Sequence, residues 1–192
     1  MDPGPAAPKP GRPGASTPKL GGMFKAICIA VLATAALAAA PALAQSLYSP
    51  PEGDFQIAFP DAPQVQSRPA NRSKDVAARR YVVEQPGRAF IVSIDDYPQG
   101  NLPPSANSAV YERLLQTHAD NEEGRLLDTK AARLSGLPCL EGSIETKGAV
   151  EIVRVLLIGD RVWELTYAVP EGVDPQGADR AFFNSFKITK GS

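Results

Sequence analysis

The chain has 192 residues and a formal net charge of −1, with 20 Lys and Arg set against 21 Asp and Glu, one His and two Cys. An even charge balance without basic clusters argues against nucleic acid as a partner. One histidine and two cysteines cannot supply the ligand spacing of a zinc module or a disulfide framework.

Residues 1–22 hold six Pro and five Gly with almost no apolar side chains. They read as a disordered extension, or as an over-extended start before Met23. From Met23 the pattern changes to Lys25, an Ala-rich apolar run from Ala26 to Ala40, Pro41 and Ala42-Leu43-Ala44. This is the layout of a secretory signal peptide over residues 23–44, cleaved after Ala44, so that the mature chain starts at Gln45 and is periplasmic or secreted. The run is just long enough to span a bilayer, and membrane attachment is expected only through an uncleaved signal.

Cys28 falls inside the signal segment, which leaves Cys139 alone in the mature chain as a small buried thiol. The mature part has 16 Lys and Arg and 20 Asp and Glu, an acidic excess of four. At this size one domain can bury enough surface to hold together without cross-links.

Residues 45–53, with Pro50-Pro51, read as a flexible lead-in to a single globular domain over residues 54–190. Phe55, Ile57 and Phe59 alternate on one strand face, and Pro60 to Pro63 turns the chain into a short strand around Val65. Two longer strands, Asp75 to Glu84 and Arg88 to Tyr97, flank Gln85-Pro86-Gly87, the chemistry of a type II turn. Asp95 and Asp96 end the second of these. Neighbouring side chains on opposite faces do not converge on one cation, so no metal site is expected there.

A helix is predicted after Pro103-Pro104, with Ser105 as N-cap, running to about Asp120. Val110, Leu114 and Thr117 form one stripe and Tyr111, Leu115 and His118 the next, an apolar side suited to a sheet. The nearby acids Asp120, Glu122 and Glu123 read as a solvated helix exit rather than as zinc partners of His118.

Gly124 to Leu134 and Leu137 to Thr146 read as strands joined at Ser135-Gly136. The strongest pattern follows. Two apolar β-branched runs, Ala149 to Ile158 and Arg161 to Val169, enclose Gly159-Asp160, which tolerate the positive φ of a two-residue hairpin turn. The loop pairs Ile158 with Arg161, hence Leu156 with Trp163, Arg154 with Leu165 and Ile152 with Tyr167.

The preceding loop is expected to have three residues, Lys147 to Ala149. That register sets Ile144 opposite Ile152, Leu140 opposite Leu156 and Gly142 opposite Arg154. Arg154 is then the one charge on an apolar face. Its neighbourhood, Gly142 with Trp163 and Tyr167 as walls, is the candidate contact for a small amphipathic or anionic ligand. Asp174-Pro175 is predicted to cap a last helix whose Ala178, Phe182 and Phe186 lie back across the hairpin, and Phe186 to Ile188 ends extended. The residues thus describe an α+β domain, an antiparallel sheet with helices packed on it.

The order of these elements, with Phe55-Gln-Ile-Ala-Phe-Pro60, the Pro-Pro helix entry, Gly159-Asp-Arg-Val-Trp-Glu-Leu-Thr-Tyr167 and Ala181-Phe-Phe-Asn-Ser-Phe186, resembles the PsbP-like superfamily over about Asp54 to Ile188. The resemblance implies helices on both sheet faces, an α/β/α sandwich, and a non-enzymatic binding or accessory role toward an unidentified protein or small molecule. The metal residues of some plant members have no counterpart here. No cofactor, metal or catalytic residue is expected: the chain lacks Gly-x-Ser-x-Gly and any metal-spacing motif. A hydrolase would have to rest on a carboxylate pair such as Asp95 or Asp96 with Glu164.

Overall fold

The computed structural model describes residues 46–70, 75–103, 107–174 and 177–189. Ten strands and two helices follow in chain order: β1 (Ser46–Tyr48), β2 (Phe55–Phe59), β3 (Gln64–Arg68), β4 (Ala77–Gln85), β5 (Arg88–Asp96), α1 (Ser108–Asn121), β6 (Arg125–Leu134), β7 (Leu137–Thr146), β8 (Ala149–Ile158), β9 (Arg161–Pro170), α2 (Ala178–Ser185) and β10 (Lys187–Ile188). Seven strands form one antiparallel sheet in the order β3-β4-β5-β9-β8-β7-β6, and β1-β2-β10 form a small second sheet. The large sheet is two meanders, β3 to β5 and β6 to β9, whose last strands pair at the centre.

The turn chemistry accounts for both meanders. Gly87 and Gly159 adopt φ of +74° and +59°, so the two-residue loops Pro86-Gly87 and Gly159-Asp160 close with Gln85 opposite Arg88 and Ile158 opposite Arg161. Leu156 faces Trp163, Arg154 faces Leu165 and Ile152 faces Tyr167, as the alternation requires.

Four expectations are corrected. The β7–β8 loop has two residues, with Thr146 opposite Ala149, so Gly142 lies opposite Val153 and Leu140 opposite Val155. The strand opposite Arg154 contributes Glu141, and the register is held by their ion pair, Nε to Oε2 at 2.7 Å. A register chosen by matching apolar residues alone left out this charged pair.

At the start of α1, Asn107 rather than Ser105 is the N-cap, its Oδ1 accepting from Val110 N at 3.1 Å. Ser105 lies outside the described residues. Helix α2 begins after Gly177, which stands at φ +76°, not at Asp174; Pro175 is outside the described residues. Finally, the lead-in contains β1, because the Tyr48 ring packs at tilted and edge-on angles against Phe55, Phe59 and Tyr81 and carries its strand onto β2.

Two cores lie on the two faces of the large sheet. On one, Leu115 and Ala119 of α1 pack on Ile144, Val153, Val155 and Val162. On the other, β2 and α2 cover Tyr81, Phe90, Ile94, Trp163, Leu165 and Tyr167 with Phe55, Phe59, Phe182 and Phe186. Each large side chain buried here is worth about 1.5–3 kcal/mol. These two layers fix what can reach either face.

Candidate functional site

The α1 face carries charges inside it. Four and three residues beyond Leu114 and Leu115, His118 points at the sheet and is 7% exposed. Below it, even-numbered residues of β9 and odd-numbered residues of β8 share the helix-facing side, so Glu164 and Glu151 both rise toward the imidazole. Glu151 Oε2 lies 2.9 Å from Nε2 and Glu164 Oε2 lies 3.2 Å from Nδ1. Burial by itself pulls the imidazole down. The hydrogen bonds and charges of Glu151 and Glu164 outweigh it and push His118 up to about 10. Both ring nitrogens then donate, and neither holds a lone pair for proton abstraction.

Next to this triad, Asp95 of β5 occupies the same face two residues diagonal from Glu164, since Glu164 pairs with Ser93. Burial, then the charge of Glu164, push Asp95 up to about 7 against the opposing influence of Arg68 and Arg80. Burial with Asp95 and Glu164 likewise raises Tyr97 to about 12. Arg80 of β4 reaches Glu122 at 3.6 Å, and its buried Nε has no hydrogen-bond partner among the described residues. The space bounded by Arg80, Glu122 and Glu151 is about 30 Å³, room for one water rather than a substrate.

Asp96 projects to the opposite face. There Arg79 bonds Asp54 at 2.8 Å and lies 3.5 Å from Asp96, while Arg161 bonds Asp96 and lies 3.5 Å from Asp54. This four-charge network ties the start of β2 to β4, β5 and β9. Of the two carboxylate pairs conceivable from the sequence, the fold assembles Asp95 with Glu164 and sends Asp96 elsewhere.

The predicted ligand contacts are placed as follows. Arg154 pairs with Glu141, donates Nη1 to Arg133 O at 3.0 Å, and lies 4.4 Å over the Phe183 ring. Trp163 and Tyr167 share its face but are 1% and 2% exposed, packed on Phe55, Phe186 and Phe90. Gly142 is on the other face, where a Cβ would stand 3.0 Å from the Leu115 methyls. The structure brings Arg154, Trp163 and Tyr167 to one face and separates Gly142 from them. Ala44 lies outside the described residues.

Glu151 and Glu164 were not identified from the sequence as partners of His118. The available signal was a lone histidine on an apolar helix stripe together with two acids on the mixed face of the hairpin. Joining them required knowing which face the helix covers. Cys139, also buried, is pushed up to about 11 by burial and Glu141 and stays a thiol.

No protein-family model and no curated protein matches this sequence. Among solved structures, the chain is similar to cyanobacterial PsbP (CyanoP) from Synechocystis sp. PCC 6803, with a TM-score of 0.50 and 13% identity over 82% of this chain and 98% of that one. A protein from Bacteroides thetaiotaomicron VPI-5482 aligns with a TM-score of 0.41 and 13% identity, over 76% of this chain and 49% of its own. The agreement with CyanoP over nearly its whole length, together with the order of strands and helices above, gives this chain a PsbP-like fold.

Proposed function

We propose that the chain is an exported, non-enzymatic binding or accessory protein of the periplasm or extracellular space. The observation that carries this reading is the state of His118. The one histidine in the sequence is buried and clamped between two carboxylates, Glu151 at 2.9 Å and Glu164 at 3.2 Å, and the space on the far side of Glu151 has room for about one water. The side chain best suited to general base catalysis is thereby spent on cohesion.

The remaining features are consistent with that role. The Ala-rich segment over residues 23–44 is the export signal, with cleavage after Ala44, and membrane contact arises only if it is retained. Among the described residues no helix is long and apolar enough to cross a membrane. Helices on both faces of the large sheet make an α/β/α sandwich, in which β1, β2 and β10 share the α2 layer. The partner is a protein or a small molecule rather than nucleic acid, given the acidic excess of the mature part.

The test is nitrogen-detected NMR of the single imidazole in protein recovered after export. The expected result is an imidazolium signature unchanged from pH 6 to pH 8, on a chain beginning at Gln45. A ring that titrates near the ordinary histidine value of about 6.5 would return His118 to the list of catalytic bases and overturn the reading. Recovery of the chain only in the cytoplasm would overturn its exported location.

A further inference from the structure

A groove of about 430 Å³ opens between the β6–β7 turn and the α2–β10 segment, lined by Arg133, Ser135, Gly136, Phe183, Asn184, Phe186, Lys187 and Ile188. Its volume falls within the range of small-ligand sites. None of the lining residues is acidic, although the mature chain as a whole is.

The walls are fixed. Ser135, at φ +52°, accepts a hydrogen bond through Oγ from Ile188 N at 3.0 Å, which joins the turn to β10. Arg133 donates Nη1 to Gly136 O at 2.7 Å, which orients the guanidinium. Its remaining donors have no partner among the described residues. Among those residues Lys187 has no ion pair either, and the Asn184 amide makes no hydrogen bond. The floor is rigid, since Phe183 lies under the Arg154 guanidinium and Phe186 packs on Trp163.

We infer that this groove binds a small organic dianion, such as a dicarboxylate, with Arg133 on one wall and Lys187 on the other each taking one negative end. A guanidinium with an anchored edge and free N–H groups suits bidentate carboxylate recognition; an ammonium on the facing wall suits a second charge. Asn184 supplies a neutral donor between them. The inference deepens the binding-protein reading and rests on it, while moving the ligand contact away from Arg154, whose guanidinium is already engaged by Glu141 and Arg133 O.

The same two cations would also be drawn to the C-terminal end of α2, where the helix dipole is negative, with no ligand involved. Titration separates the two explanations. The exported protein, labelled with nitrogen-15, is titrated with succinate, with succinamide as the neutral isostere, and with inorganic phosphate.

The expected result is a saturable succinate response at the amides of Ser135, Gly136, Asn184, Lys187 and Ile188, absent with succinamide. Arg133→Gln and Lys187→Gln should each weaken it roughly ten-fold, the loss of one charge-assisted contact. No saturable response to succinate, a response to phosphate alone, or one that both variants leave unchanged would each overturn the proposal. All three leave the imidazolium test of the wider reading unaffected.

Discussion

Raising the pH should loosen this fold through His118. The imidazole rises from its ordinary 6.5 to about 10 because Glu151 and Glu164 hold its charged form. A group raised on folding contributes its full stability below the unfolded value and loses it as pH climbs through the folded value, so the window runs from about 6.5 to about 10. Each pH unit inside it is worth about 1.4 kcal/mol, and a step from pH 7 to pH 9 should remove about 2–3 kcal/mol. That is a large share of the stability expected for a domain of this size.

Urea unfolding at pH 7, 8 and 9 reports it directly, because the single tryptophan, Trp163, is buried and will signal exposure. The midpoint should fall steadily with pH in the native sequence. In His118→Gln it should be flat over the same range, from a starting stability lower by about 3–5 kcal/mol, since two carboxylates are left facing each other without a cation. A native midpoint that does not move between pH 7 and pH 9, or an equal slope in the variant, would show that His118 is not the group that couples stability to pH.

Three further outcomes are expected. Gly124→Ala places a Cβ 2.6 Å from the Glu145 carbonyl oxygen, which cannot swing aside as a side-chain tip would, so calorimetry should show a loss of about 1–3 kcal/mol; an unchanged melting point would contradict it. Arg154→Met strands Glu141 with Lys130 as its remaining cation and should cost about 2–4 kcal/mol, whereas Arg154→Met with Glu141→Met should recover most of it. Equal losses in the single and double variants would rule out the pair as the cause. Asp95 is raised from 3.8 to about 7, so its carboxyl adds stability below about 4 that disappears as pH climbs to 7. Asp95→Asn should flatten urea midpoints across that interval and stabilise the protein at pH 7; a variant that still weakens as steeply as the native chain would exclude Asp95.

Much of the fold was legible because local chemistry decides it. The Gly159-Asp160 turn sets its own register, and the alternation on both sides then assigns every residue of β8 and β9 to a face. The Lys147-Gly148 turn was misread for an instructive reason. Apolar matching favoured Ile144 beside Ile152, yet the actual register sets Ser143 there and gives Arg154 a carboxylate in Glu141. In a sheet covered on both faces, apolar pattern alone does not distinguish the two registers.

The candidate site shows the same boundary. That Glu151 and Glu164 share a sheet face follows from their numbers along the hairpin, and that His118 lies on the apolar stripe of α1 follows from helical spacing. Whether the stripe meets that face or the aromatic one depends on how the chain crosses between β5 and β6, a choice no local pattern encodes. Most of the strands and the register of the central hairpin were readable from residue order alone, because alternation and the Gly159-Asp160 turn act over a few residues. That His118 is clamped by two glutamates, that Arg154 is already partnered and that Arg133 and Lys187 line one groove came from the packing of strands and helices, because those meetings join residues far apart in the chain.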